Sequence, residues 1–148
     1  MNGAARLLDV NVPMYAAGQA HPYKEACVWI MTEVAKGRLD AAIDTETIQE
    51  VLYRYGALRK WDLAVSVATE LLIVVPTVHP VLLADARLAV DLFRQTAPRV
   101  VPARDLIHVA VMRNNGINEI ISADEHFDRV DGITRLDPRR LFDQFTRR

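Results

Sequence analysis

Asp9, Glu50, Asp105 and Asp124 are the side chains whose types and settings point most directly to chemistry. Asp9 lies in the short apolar run Arg6-Leu7-Leu8-Asp9-Val10, of the kind that becomes a buried strand. A carboxylate there is costly unless it is paired, hydrogen-bonded or bound to metal, and the neighbouring Asn11 cannot neutralise it. The other three acids each have a plain structural reading. Glu50 stands three residues after Thr47, the spacing of a capping box. Asp105 sits where a negative charge suits a helix dipole, and Asp124 can cap the turn that follows it. Gathered in one place, however, the four would repel one another unless a cation lay among them, and oxygen-only ligands select hard ions such as Mg²⁺ or Mn²⁺. Such ions, about 4 Å apart when paired, activate water and stabilise charge during in-line displacement at a phosphodiester. Phosphodiester hydrolysis is the leading reaction class.

The elements must bring the acids together. Strands are expected at Arg6 to Val10, with Pro13 against continuation, at Ala41 to Ile43, at Leu72 to Val75, at Glu119 to Ser122 and, as an edge strand, at Gly132 to Leu136. Helices are expected from Pro22 to Lys36, Ile48 to Leu58, about Leu63 to Leu71, Pro80 to about Gln95, Pro102 to near Asn115, and from Pro138 onward, with a short turn at Glu125 to Arg129. Asp44, Thr45 and Thr47 can cap the second of these helices. Strands alternating with helices predict a three-layer α/β/α sandwich around a central, mainly parallel sheet. In such a sheet the carboxyl ends of the strands share one edge with the amino ends of the following helices. Asp9, Glu50, Asp105 and Asp124 all fall at that edge.

Composition bounds the rest. With 148 residues, the chain is expected to be one domain, residues 1–148, able to bury a core unaided. A net charge of −1 gives no general attraction to nucleic acid, so a polyanionic substrate needs a local basic patch or a bound cation. Cys27 is alone and no Cys/His cluster has zinc spacing. Apolar stretches are broken by charge well before the roughly 18 residues of a membrane span, and no signal peptide precedes Asp9. A cytoplasmic protein without membrane association is expected.

Four separated segments resemble the PIN-domain family, and within it the VapC-type toxins of toxin–antitoxin pairs. Leu7-Leu8-Asp9-Val10-Asn11-Val12 is similar to the opening strand with its acid, and Thr47-Ile48-Gln49-Glu50-Val51-Leu52 to the helix of the second. Ala103 to Ala110 resembles the third-acid helix, and Ile121-Ser122-Ala123-Asp124-Glu125-His126-Phe127 the fourth-acid segment. The resemblance implies an RNase-H-like sandwich and a Mg²⁺- or Mn²⁺-dependent endoribonuclease acting on an RNA substrate. It also implies a cognate antitoxin and a homodimer. Carried over by position, Asp9, Glu50, Asp105 and Asp124 become the catalytic, metal-associated acids, with Asn11 and Ser122 as supporting or substrate contacts. Asp128 is a weaker fifth acid, for which a solvated surface position is the favoured reading, and Asp44 and Glu46 are rivals of Glu50.

Other residues have blander readings. His108 is read as a packed, hydrogen-bonded histidine in preference to a general base, His126 as exposed, and His21 and His79 as loop residues. Arg104, Arg113, Arg129, Arg135, Arg139 and Arg140 are candidates for phosphate contacts. Tyr53, Tyr55 and Trp61 can stack on bases but more often serve cores or interfaces. Three other readings remain: a non-catalytic RNA- or protein-binding module of the same fold, a single-domain nuclease of the family without an antitoxin, and a phosphotransfer domain using Asp9. The last lacks the Asp-x-Asp signature, since Asn11 replaces its second acid.

Overall fold

The computed structural model describes residues 5–147. Its strands are β1 (Arg6–Leu8), β2 (Ala41–Asp44), β3 (Thr77–His79), β4 (Glu119–Ile121) and β5 (Thr134–Leu136), ordered β3-β2-β1-β4-β5. All four pairings are parallel; Leu7 lies opposite Ala42 on one side and Ile120 on the other. The helices are α1 (Asn11–Ala17), α2 (Lys24–Ala35), α3 (Thr45–Ala57), α4 (Trp61–Val74), α5 (Leu83–Thr96), α6 (Ala103–Asn114) and α7 (Pro138–Thr146), with short 3₁₀ turns at Ala97–Arg99 and Glu125–Arg129.

Successive strand residues face opposite sides, and the core divides accordingly. Leu8, Ala41, Ile43 and Ile121 pack under α1, α2, α3, α4 and α7, through residues such as Ile30, Val51, Leu71 and Leu141. Leu7, Ala42 and Ile120 pack under α5 and α6, against Leu92, Leu106, Val109 and Phe127. With apolar cover on both faces the central strands need no polar alternation, which is why they are short aliphatic runs. Truncating a buried side chain such as Ile120 to alanine is expected to cost about 2–5 kcal/mol. The architecture is the three-layer α/β/α sandwich. No helix among the described residues is long and apolar enough to cross a membrane.

Several expected boundaries move. β1 stops at Leu8, and the chain turns at once into α1, a helix for which the sequence carried no start signal. Pro13 ends the strand pattern but is tolerated in the helix's first turn, where its missing N–H has no intrahelical partner to lose. The strand expected at Leu72 to Val75 is the last turn of α4, and the strand follows Pro76 instead. β-branched Ile73 and Val74 suggested extension, but α4 buries Ala64, Val67, Ala68 and Leu71 as one continuous helical face. α3 begins at Thr45 and its cap is Asp44, whose carboxylate accepts the Thr47 N–H (3.1 Å). The capping-box reading of Glu50 therefore fails, because Thr47 is already inside the helix. His79 ends β3 rather than lying in a loop.

Candidate active site

Asp9 follows β1, Asp44 ends β2, Asp124 lies three residues past β4, and Asp137 immediately follows β5. Because the strands are parallel, all four emerge at one edge. Glu50 on the second turn of α3 and Asp105 on the first turn of α6 reach the same edge from their helix amino ends.

The Asp9 carboxylate is 4% exposed and held on three sides. Oδ1 accepts the Val10 N–H (2.8 Å), while Oδ2 accepts the Ser122 hydroxyl (2.6 Å) and the Asn11 amide (3.1 Å). The same Ser122 oxygen accepts the Asp124 N–H (2.9 Å) and the Asn11 amide (3.2 Å), tying the ends of β1 and β4 together. Burial raises the Asp9 pKa, against the charge of His108 and the Ser122 hydrogen bond, and Glu50 pushes it further up.

Glu50 belongs to a closed group. The fully buried His108 of α6 places Nδ1 2.6 Å from Asp44 Oδ2 and bonds Glu50 Oε1 through Nε2. Only the imidazolium can donate to both. Burial works against that charge, but the two carboxylates outweigh it and hold the ring's pKa well above its ordinary value. The second Glu50 oxygen faces the half-exposed Arg104 at 3.8 Å.

Asp105, Asp124 and His126 form an open group. Asp105 is 3% exposed, and its Oδ2 is buried without a hydrogen-bond partner. Burial, followed by the charges of Asp9 and Asp124, pushes its pKa up to about 7. His126 Nδ1 is also buried without a hydrogen bond, 2.8 Å from Asp124 Oδ1 and 3.7 Å from Asp105 Oδ2. One donor atom from each of the three residues lies within 4.8 Å of the others. Ligands about 2.1 Å from a Mg²⁺-sized ion are spaced about 3.0 Å apart along an octahedral edge. His126 Nδ1 and Asp124 Oδ1 already have that spacing, and with the orphaned Asp105 oxygen 3.7 Å from the ring nitrogen the three make a donor set that fits a divalent cation.

The structure thus brings Asp9, Glu50, Asp105 and Asp124 into one electrostatically coupled edge, with Asn11 and Ser122 bridging it. Asp128 is elsewhere: it is exposed and receives both the Nε and NH2 of Arg135, at 3.0 and 3.1 Å. Three of the six arginines are spoken for. Arg113 binds the Asp131 carbonyl, Arg129 those of Arg99 and Val100, and Arg135 two acids and the Ser122 carbonyl. Arg139 and Arg140 are exposed and in no ion pair among the described residues. Tyr55 is buried, so it cannot stack on a base. Sequence reasoning missed His126 as a member of the edge and ranked Asp44 only as a rival of Glu50. His126 had one usable signal, its position two residues after Asp124, whereas Asp44 meets His108 only through the fold.

A fold with a central parallel sheet and an edge of converging acids defines a class, and the comparisons agree with it. The model of the PIN domain matches residues 6–133, and the chain belongs to the PIN-domain family. Within it, the chain is 34% identical over 131 residues to ribonuclease VapC13 of Mycobacterium tuberculosis, a match covering 88% of this chain and 98% of that one. Among solved structures, it is similar to VapBC2 from Rickettsia felis bound to a promoter DNA fragment, with a TM-score of 0.71, 13% identity and coverage of 90% and 98% of the two chains. It is also similar to M. tuberculosis VapC20, a toxin that cleaves the sarcin–ricin loop, with a TM-score of 0.70, 15% identity and coverage of 82% and 91%.

Proposed function

We propose that this chain is a metal-dependent endoribonuclease of the VapC type, with Asp9, Glu50, Asp105 and Asp124 as its catalytic acids. The observation that carries the reading is the open group, in which Asp105 Oδ2 and His126 Nδ1 lie buried and unpartnered beside Asp124. Uncompensated buried polar atoms are expensive, and a divalent cation resolves both at once. The 34% identity to a ribonuclease across nearly its whole length supports RNA as the substrate.

Asp105, Asp124 and His126 would hold the cation, with Asp9 completing the anionic wall. When bound, the ion supplies Lewis-acid activation of water and neutralisation of charge on the phosphodiester. The chain's own residues prepare the ground. Val10, Asn11 and Ser122 fix the Asp9 carboxylate in one orientation, and the imidazolium of His108 fixes Glu50 while offsetting one negative charge of the crowded edge. Arg104, beside Glu50 and half exposed, is placed to meet a phosphate entering the edge. The two carboxylates suit Mg²⁺ or Mn²⁺ alike, and His126 would add one nitrogen ligand.

Two partners complete the proposal. VapBC complexes among the structural neighbours support a cognate antitoxin, whose arginine-containing tail would compete for the acidic edge. A homodimer is supported by Leu83, Val90 and Phe93, which leave an exposed apolar stripe along α5.

The test is cleavage of defined RNAs by the purified chain in Mn²⁺. EDTA should abolish cleavage, as should Asp9→Asn with the fold retained by circular dichroism; cleavage at the wild-type rate by that variant would end the proposal.

A further inference from the structure

One aromatic group beside the acids lies at the margin of the core rather than inside it, its two tyrosines packed against the buried cluster and its histidine exposed. Tyr15 of α1, His21 of the following loop and Tyr23 just before α2 stack together, with centroids 4.3 Å (Tyr15–His21), 5.6 Å (Tyr15–Tyr23) and 6.0 Å (His21–Tyr23) apart. Their planes lie within 16–29° of parallel, and the spacing makes a triangle of rings rather than a column. His21 is exposed and the tyrosines half-buried, unlike the core aromatics Phe127 and Tyr55. The guanidinium of Arg139 lies 5.7 Å from the centre of the Tyr23 ring.

Two connections place this group beside the acids. Asn11 and Tyr15 are four residues apart on α1, hence on one face and about 6 Å apart along the helix axis. Asn11 is the residue whose amide holds Asp9 and Ser122. On the other flank, the Tyr23 hydroxyl donates to Asp137 (2.6 Å), the residue that follows β5 and caps α7 through the N–H groups of Arg139 and Arg140. Asp137 also neighbours Arg135, which donates to the carbonyl of Ser122. A cleft of about 240 Å³ opens there, lined by Arg135, Asp137, Arg140 and Gln144 among others.

We propose that Tyr15, His21 and Tyr23, with Arg139 and Arg140, form a subsite that stacks a nucleobase of single-stranded RNA and grips its phosphates next to the acidic edge. The proposal rests on the ribonuclease reading and adds to it where the strand is held. Near-parallel rings at the surface, His21 exposed and the tyrosines half-buried, offer π-faces that any base can use, and sequence-tolerant stacking is the mode by which proteins hold single strands. Arg139 and Arg140, in no ion pair among the described residues, supply local cationic charge that the chain's overall balance of −1 does not. A protein partner would be better matched by an apolar patch than by stacked, hydroxyl-bearing rings rimmed with arginine.

The experiment uses a short single-stranded RNA carrying 2-aminopurine beside the cleaved bond. Affinity is measured by fluorescence in EDTA, and KM and kcat are measured in Mn²⁺. Tyr15→Leu, which keeps an apolar side chain but removes the π-face, should weaken binding and raise KM by about 5- to 100-fold with kcat little changed. Arg139→Ala should act in the same direction and flatten the salt dependence of binding. Replacing the base by an abasic residue should cost the wild type as much as Tyr15→Leu does and cost that variant little more. Unchanged affinity and KM in both variants, or a loss confined to antitoxin binding, would overturn the subsite while leaving RNA cleavage in place. RNA binding that depends on Tyr15 without cleavage at any Mn²⁺ concentration would instead uphold the subsite and end the ribonuclease reading.

Discussion

Two groups of the same composition, each two carboxylates and one histidine, lie side by side at the edge of the sheet. In Asp44–His108–Glu50 the ring is enclosed and both its nitrogens are engaged, so the charges are balanced by a proton the protein carries itself. In Asp105–Asp124–His126 a carboxylate oxygen and a ring nitrogen face each other without a hydrogen bond. The same residue types therefore build a strut in one place and, in the function proposed, a receptor in the other. What separates them is whether every lone pair has been met from within the fold.

Breaking the closed group should have the largest effect. His108→Ala leaves Asp44 buried with no counter-charge and Glu50 with only the half-exposed Arg104, and about 3–5 kcal/mol of stability should be lost, read as a fall of roughly 10 °C or more in the melting temperature. The open group should respond in the opposite sense. Asp105→Asn removes a charge that burial, Asp9 and Asp124 all oppose, so the metal-free protein should melt higher while Mn²⁺-dependent cleavage drops about 10²- to 10³-fold. A variant that lost stability as well would show the two groups to be alike.

Acidity sharpens the contrast further. The Asp105 pKa rises from about 3.9 in an unfolded chain to about 7 in the fold. The folded state therefore binds more protons than the unfolded one between those values, and stability without metal should fall as pH rises from about 4 to 7. His108, also raised, continues that decline above about 6.5, where the unfolded histidine has lost its proton. Cation binding releases the Asp105 proton, so the stabilisation given by Mn²⁺, about 2.7 kcal/mol at a hundred times its Kd, should be larger at pH 7.5 than at pH 5.5. Scanning calorimetry at the two pH values, with and without Mn²⁺, reads this directly. His126→Ala removes one of the three proposed ligands and should shrink the Mn²⁺ gain. The smallest effect belongs to Asp128→Asn, which breaks an exposed pair with Arg135 and should cost under about 1 kcal/mol by denaturant titration.

Much of this was legible from local signals. Alternating apolar runs and helix starts placed four of the five strands and every helix except α1. The acids stood out because each lies at a strand end or helix start, where a parallel sheet collects side chains. α1 was hidden because Pro13 reads as a stop, although a helix tolerates it in the first turn. The false strand at Leu72 to Val75 came from trusting β-branching over burial, and the packed face of α4 decided otherwise. The pairing of His108 with Asp44 spans 64 positions and the stacking of Tyr15 on His21 depends on a loop, so no spacing rule announces either.

β1 lies at the middle of the sheet but comes first in the chain, and its partner β4 is made near the other end. Asp9 and the Ser122 hydroxyl that orients it are separated by 113 positions. At about 5–20 residues per second of synthesis, Asp9 waits roughly 6–23 s for Ser122 to be translated. Until β4 docks, Asp124 and His126 have no place beside Asp105, and the proposed cation receptor is incomplete. A half-made chain on the ribosome, surrounded by RNA, is therefore without its edge, and the activity is postponed by topology until the last strands are in hand.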